Sequence, residues 1–333
     1  MDIKQILQEA LAAVNAGQNE RALNLCRAAL SQDQKRPDSW NLFGLIHQQM
    51  EHFPMAATAY RMALDLDPND AHARQRLEQI RQYAFQKSVY FGNVVVLTLL
   101  PHYLNLFKHT VQEGPFRGMR YYDEALSPAT PAAAYDIISK LTGWYEIELH
   151  PWLREAITVP YHTVINVGCA EGYYAIGLSR CLPQARVYAF DIDANAQRIC
   201  KMGVELNGVA DRIEVLGLCT AERLQQVTQG QRALLMVDCE GCEKDLLDPR
   251  LAPALAGCDI IIECHDFTDS TITATLLERF SATHRIDRVE QGPRNPNASA
   301  LFQDMHELMR WLVLCEWRPR LMHWLRLRSL QYE

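Results

Sequence analysis

At 333 residues, 22% charged and 48% hydrophobic, the chain has a globular composition and the length for two domains, one of them with a sizeable core. A net charge of −7 argues against a general nucleic-acid binder. Asp2, Lys4 and Glu9 interrupt the apolar run that a signal peptide needs, so a cytoplasmic location is expected. The ten cysteines are scattered, mostly in apolar segments, which fits reduced, buried thiols.

Residues 1–82 repeat with a period of 34, so that Ala22, Cys26 and Ala29 return as Ala56, Tyr60 and Ala63. The second copy, from Trp40 and Gly44 to Pro68, resembles the tetratricopeptide (TPR) repeat, in which small residues let two helices pack closely. In the first copy Ile6 and Ala10 hold the Trp and Gly positions, as befits a terminal repeat, and residues 71–81 read as a capping helix with Leu77 and Ile80 on one face. The resemblance implies an all-α module that recruits a peptide, a protein partner or a second subunit.

From Ser88 to Phe107 run 20 residues without an acidic, Lys or Arg side chain, long enough for a membrane span. Asn93, Pro101, His102 and Asn105 favour a buried connector instead. Residues 83–158 are read as that connector followed by a helical lid region, loop-rich over 114–131 and helical over 132–141 and 145–157. Aromatic residues in Gly114 to Tyr121 and Gly143 to Glu146 could close over a site, which makes Tyr145 and Glu146 candidate substrate contacts.

Over residues 159–305 strands and helices alternate, predicting a Rossmann-like, doubly wound α/β domain with a mostly parallel sheet. Strands are expected at 163–167, 186–190, 212–216, 233–237 and 259–262, with a later pair near 286–289 and 298–302. Helices are expected at 174–181, 194–207, 221–229, 244–255 and 272–280. Ligands in such a fold bind at the C-terminal ends of the strands.

The run from Val164 to Tyr174 reads as a buried strand, a tight turn at Gly168, Ala170 and Gly172, and a helix. The next strand ends on Asp191, where a carboxylate can take a ribose diol. Tyr173 occupies the third-Gly position of a dinucleotide fingerprint, which disfavours NAD. The turn resembles that of class I S-adenosylmethionine-dependent methyltransferases, with Asn166 in place of the usual acid and Ala170 in place of the middle Gly.

Two later strands end in Asp238-Cys239-Glu240-Gly241-Cys242-Glu243 and in Glu263-Cys264-His265-Asp266, gathering carboxylates and an imidazole where a general base is needed. Asp238-Cys239-Glu240-Gly241-Cys242-Glu243 resembles the D-x-E-G-x-E signature of FkbM-type methyltransferases, a likeness covering about residues 160–290. It implies S-adenosylmethionine (SAM) as cofactor and O-methylation of a hydroxyl on a sugar, polyketide or similar metabolite. Gly168, Ala170 and Gly172, with Asn166 and Glu171, would then hold the methionine part. Asp191 would hold the ribose, the turn at Leu218-Cys219-Thr220 the adenine, and Asp238 would lie beside the transferred methyl.

His265 is the first candidate for the base, with Glu240 second and Asp238 beside them. A divalent ion on Asp238, Glu240 and Glu263 is the weaker alternative, and no metal is assigned. Cys239 and Cys242 have C-x-x-C spacing, but zinc would need two further ligands, and Glu240-Gly241 is an unusual insert for a redox pair. In the loop from Gln291 to Asn297, Arg294 could contact an anionic substrate group.

Residues 306–333 read as two amphipathic helices divided by Pro319, basic and carrying Trp311, Trp317 and Trp324, which pack on their own domain or on a partner subunit more readily than on a membrane. The expected function is a methyltransferase with a TPR module. The competing expectation is a catalytically inactive scaffold, which the departures at Asn166 and Ala170 favour.

Overall fold

The computed structural model describes residues 2–83, 103, 105–122, 131–228, 232–316, 318 and 320–332. The chain divides into two compact units, Met1–Gly92 and Asn93–Glu333. Most of the uncharged stretch 88–107 lies outside the described residues, as does the division expected at Pro319. Among the described residues no helix is long and apolar enough to cross a membrane.

The first unit is all-α. Helices α1 (Ile3–Asn15) and α2 (Asn19–Gln32) pack together, as do α3 (Pro37–Gln49) and α4 (Phe53–Leu66), and residues 71–83 form α5. Both α3 and α4 start 34 residues after their counterparts α1 and α2, so the sequence period is a structural one. Small side chains make the close packing: Ala10, Ala22, Cys26, Ala29, Ala56 and Ala63 are fully buried. At Gly44 a Cβ would stand 2.7 Å from Cε1 of the buried Tyr60 ring.

The second unit is built on a seven-stranded sheet. Its strands are β1 (Thr163–Val167), β2 (Arg186–Phe190), β3 (Ile213–Leu216), β4 (Ala233–Val237), β5 (Cys258–Glu263), β6 (His284–Glu290) and β7 (His323–Ser329). They lie in the order β3-β2-β1-β4-β5-β7-β6. The first five are parallel, and β7 runs antiparallel to both β5 and β6. Every residue of β1, β4 and β5 is buried, which suits apolar strands covered on both faces.

One face of the sheet is covered by α8 (Tyr173–Cys181) and α9 (Ala194–Leu206), whose Ile176, Leu178, Ile199 and Val204 share a core with Val164 and Val187. The other carries α10 (Ala221–Thr228) and α12 (Ile272–Phe280), with Leu224, Leu276 and Phe280 against Ile165, Leu235 and Ile260. Each buried aliphatic or Phe side chain contributes about 1.5–3 kcal/mol. Outward order reverses between β1 and β4, so a crevice opens at their C-terminal ends.

Several expected elements are corrected. Residues 298–302 hold no strand but a 3-10 turn at Ala300–Phe302. The last strand comes instead from His323–Ser329, expected as helix. There Leu325 and Leu327 enter one core face, while Trp324 joins the other and Arg326 pairs with Glu155. Leu325, Arg326, Leu327 and Arg328 alternate as a strand does, but the spacing of Leu321, Trp324 and Leu325 fits a helix equally. Of the C-terminal helices, the described residues hold only α13 (Glu307–Leu312).

The helix expected over 244–255 shrinks to α11 (Glu243–Leu246), since Pro249 disfavours helical backbone at Asp248. The helix expected over 145–157 is a 3-10 turn, Ile147–Leu149, followed by α7 (His150–Ala156), with Glu146 left-handed at φ 46°. The preceding helix is α6 (Pro131–Thr142).

Substituting Gly44→Ala tests the packing of the first unit. On an exposed helix face this change stabilises by up to about 1 kcal/mol, but here a methyl must displace Tyr60, at a cost of about 1–3 kcal/mol. The expected outcome is a lowered melting temperature of the first unit, read by circular dichroism.

Candidate functional site

The turn after β1 is shaped by three left-handed residues, Gly168 (φ 76°), Ala170 (φ 44°) and Gly172 (φ 99°). Gly168 tolerates no side chain, because its Cβ would lie 1.6 Å from the Asp238 carbonyl oxygen. The amides of Gly168 and Cys169 both bond the Phe190 carbonyl, and the Asp238 amide donates to the Val167 carbonyl. The ends of β1, β2 and β4 are thereby tied into one rim.

A cavity of about 330 Å³ opens on this rim. Gly168 and Ala170 line it, Phe190, Ile192 and Leu218 supply apolar wall, and Asp191, Asp238 and Glu240 supply carboxylates. Asp191 Oδ2 accepts from the Ala170 amide at 2.8 Å and Oδ1 from the Asp193 amide at 2.9 Å. Both oxygens keep a lone pair for a further donor. Cys219 also lines the cavity, but Thr220 does not: its hydroxyl accepts from the Arg223 amide at the start of α10.

Other expected cofactor contacts are placed elsewhere. Glu171 is buried, 2.8 Å from Lys140 Nζ and 3.3 Å from the Tyr121 hydroxyl. Gly172 caps α8 and packs towards Ile176 and Cys200. Asn166 borders a smaller hollow shared with Glu146, Tyr174, Asp238 and Glu263, and its buried Oδ1 has no hydrogen-bond partner among the described residues.

At the ends of β4 and β5 the titratable groups converge. His265 is buried, with Nδ1 2.6 Å from Glu243 Oε1 and Nε2 3.4 Å from Glu240 Oε2 and 3.6 Å from Asp238 Oδ1. Burial favours the neutral imidazole, but the hydrogen bond to Glu243 and the charges of Asp238, Glu243 and Glu240 outweigh it and raise the His265 pKa above 6.5. Burial, with Glu146 close by, pushes the Asp238 carboxyl up to about 7. The buried Asp238 Oδ1 accepts no hydrogen bond among the described residues.

Asp238, Glu263 and His265 offer donor atoms within 4.8 Å of one another, a set that could ligate a metal. Glu263 is already engaged by the Arg318 guanidinium, which also binds Glu146 and Glu316. A cation for this carboxylate is thus supplied by the chain itself. Burial nevertheless raises the Glu263 pKa well above the ordinary value.

The expected substrate residues are committed to other partners. Arg294 lies buried between Glu148 and Glu316, so its fork is not offered to an anion. Glu146 bonds Arg318 and the Tyr174 hydroxyl. Tyr145 is buried edge-on to Tyr173, with Lys140 Nζ 4.7 Å from its ring centroid. The segment expected as a lid is also core: Phe116 and Met119 are buried, and a Cβ on Gly177 would stand 2.4 Å from the Phe116 ring.

The reduced-thiol expectation fails at one pair, because Cys239 and Cys242 are disulfide-bonded. The left-handed turn between them, Glu240 (φ 57°) and Gly241 (φ 114°), brings their Cα atoms to 5.5 Å, within bridging range. The remaining eight cysteines are not disulfide-bonded.

Three further residues belong to the site. Ile192, 81% exposed at the cavity rim, was legible only as an apolar residue between two aspartates. Glu243 was part of the acidic run, without a sign that it would face His265. Arg318 had no signal for its site contacts, since Glu263 and Glu146 lie 55 and 172 residues away.

The family described as ribosomal protein L11 methyltransferase (PrmA) matches residues 152–235, the stretch from α7 into β4. No curated protein matches significantly. Among solved structures, the O-methyltransferase TomG from Streptomyces achromogenes, in complex with SAM, is similar at 15% identity and TM-score 0.40, over 62% of this chain and 91% of that one. A precorrin 8w decarboxylase from Methanobacterium thermoautotrophicum is similar at 15% identity and TM-score 0.38, over 54% and 88%. An O-methyltransferase from Bacillus cereus, in complex with SAH, is similar at 14% identity and TM-score 0.35, over 53% and 78%. With its strand order and the family match across β1 to β4, the sheet unit has a class I methyltransferase-like fold.

The contact between Glu243 and His265 can be tested directly. In a Glu243→Gln variant the imidazolium loses a buried counter-charge, so the His265 titration followed by NMR moves to lower pH. An unchanged midpoint would show that Glu243 does not set the charge of this imidazole.

Proposed function

We propose that the protein is an SAM-dependent methyltransferase of FkbM type that methylates a hydroxyl oxygen. The observation that carries this reading is the cavity at the sheet's reversal point, lined by Asp191, Asp238 and Glu240, with the buried His265 beside the last two. The residues present suit the cofactor. Asp191 can take a ribose diol, Ile192 and Leu218 can flank a base, and the Asp238 carboxylate on the cavity lining can accept from the methionine ammonium.

When bound, the cofactor supplies an electrophilic methyl group whose sulfonium is already a good leaving group. The chain must then align an acceptor hydroxyl and take its proton. His265 Nε2 is placed for this: Nδ1 is fixed by Glu243, which sets the ring orientation and stabilises the imidazolium formed when the proton arrives. Glu240, 81% exposed, stands beside it at the open edge. The 34-residue helix pairs support a TPR-like module that recruits a substrate-bearing peptide or protein.

Calorimetry with SAM tests the cofactor site. The full chain is expected to bind, and Asp191→Ala to weaken binding at least tenfold. No binding at millimolar SAM would leave the inactive scaffold as the better reading. His265→Ala is expected to keep SAM affinity and lose at least tenfold in turnover.

The pH dependence has a definite sign. A base works deprotonated, and the His265 pKa is raised in the fold, so turnover falls as pH drops through a midpoint above 6.5. Because Asp238 titrates near 7 in the same cluster, that midpoint belongs to the group as a whole. In His265→Ala the midpoint of this limb shifts, because only the carboxylates are left to titrate.

A further inference from the structure

We propose that Cys239 and Cys242 form a reversible thiol–disulfide modification site that controls the cofactor cavity, an inference that rests on the methyltransferase reading above. Both cysteines line the cavity. Cys242 is exposed and Cys239 half-buried, so a soluble thiol can reach the bridge. The third cysteine on the cavity, Cys219, is not a competing nucleophile, because burial pushes its thiol up to about 12.

The disulfide closes the turn that carries the acidic residues of the site. Inside the ring lie Glu240 and Gly241, both left-handed, and only the second is a glycine. Glu240 Oε2 is 3.4 Å from His265 Nε2. The Gly241 amide donates to Glu243 Oε1 at 3.2 Å, the same oxygen that holds His265 Nδ1. Just before the ring, the Asp238 carbonyl presses on Gly168 at the floor of the cavity. A covalent staple across four residues therefore holds one wall of the cavity and the carboxylates facing the imidazole.

Reduction proceeds by ordinary exchange. A thiolate of a dithiol reductant attacks the exposed Cys242 sulfur, the S–S bond breaks, and Cys239 leaves as thiolate and takes a proton. The reductant's second thiol then displaces Cys242, so that two protein thiols and one reductant disulfide result, with two electrons and two protons transferred. A disulfide oxidant such as oxidised glutathione reverses the sequence. With the bridge open, the Glu240–Gly241 turn is free to leave its left-handed conformation, and the cavity wall and the Glu243 contact loosen together.

The test uses the full chain equilibrated in oxidised glutathione or in dithiothreitol. Thiol alkylation and mass spectrometry read the state of the pair, and calorimetry reads the SAM dissociation constant. The disulfide form is expected to bind at least fivefold more tightly than the reduced form. A Cys239→Ser/Cys242→Ser double variant should show the weaker value in both buffers.

Circular dichroism of the reduced wild-type chain confirms that it stays folded, so the comparison does not depend on the variant. Equal affinities in two forms that mass spectrometry shows to differ would overturn the switch and leave the methyltransferase reading standing. Failure of the bridge to form in oxidised glutathione would also overturn it. Absence of SAM binding in both forms would overturn both readings.

Discussion

The close approach of β1 and β4 is the constraint from which the site follows. Their parallel register places Val167 beside Val237, so the chain leaves both strands at the same level, and the Asp238 carbonyl fills the space where any side chain at residue 168 would stand. That contact requires Gly168 in a left-handed conformation and turns the chain into α8. The same arrangement sets Asp191, one strand over, within 2.8 Å of the Ala170 amide. A wider spacing between β1 and β4 would pull the cavity rim apart.

Behind the rim lies a second layer of buried charge. Arg318 binds Glu146, Glu263 and Glu316, and Arg294 binds Glu148 and Glu316. Networks of this kind gain little net stability over an apolar core, but removing one partner typically costs about 3–5 kcal/mol, because the other charge is left buried and unpaired. Their physical effect here is positional. Arg318 ties the chain between α13 and β7 to the end of β5 and to the turn before α7, and so fixes the surroundings of Asp238 and Glu263.

His265 shows how the site sets its own charge. Burial alone would favour a neutral ring, yet three carboxylates face it: Glu243 at Nδ1, and Asp238 and Glu240 at Nε2. Asp238 is pushed towards neutrality by its own burial and by Glu146. Protons are consequently shared within the cluster, which suits a group that must accept one from a substrate and later release it. The Cys239–Cys242 bridge sits on the turn between these carboxylates and couples their placement to the backbone.

The 34-residue period, the tight turn at Gly168 and the strand-end acids Asp191 and Asp238 were legible in the sequence by itself, because each expresses a local rule: helix packing against small residues, backbone approach, or strand periodicity. What the tertiary structure alone decided were the pairings across long separations. Arg294 and Glu171, which looked available for ligands, are spent on Glu148, Glu316 and Lys140. Residues 323–329, helical by spacing, became a strand because β5 and β6 offered two open edges and two core faces to fill. A side chain's charge and size are written in the chain, but whether it meets a ligand or another residue is settled by the distant segments that the fold brings beside it.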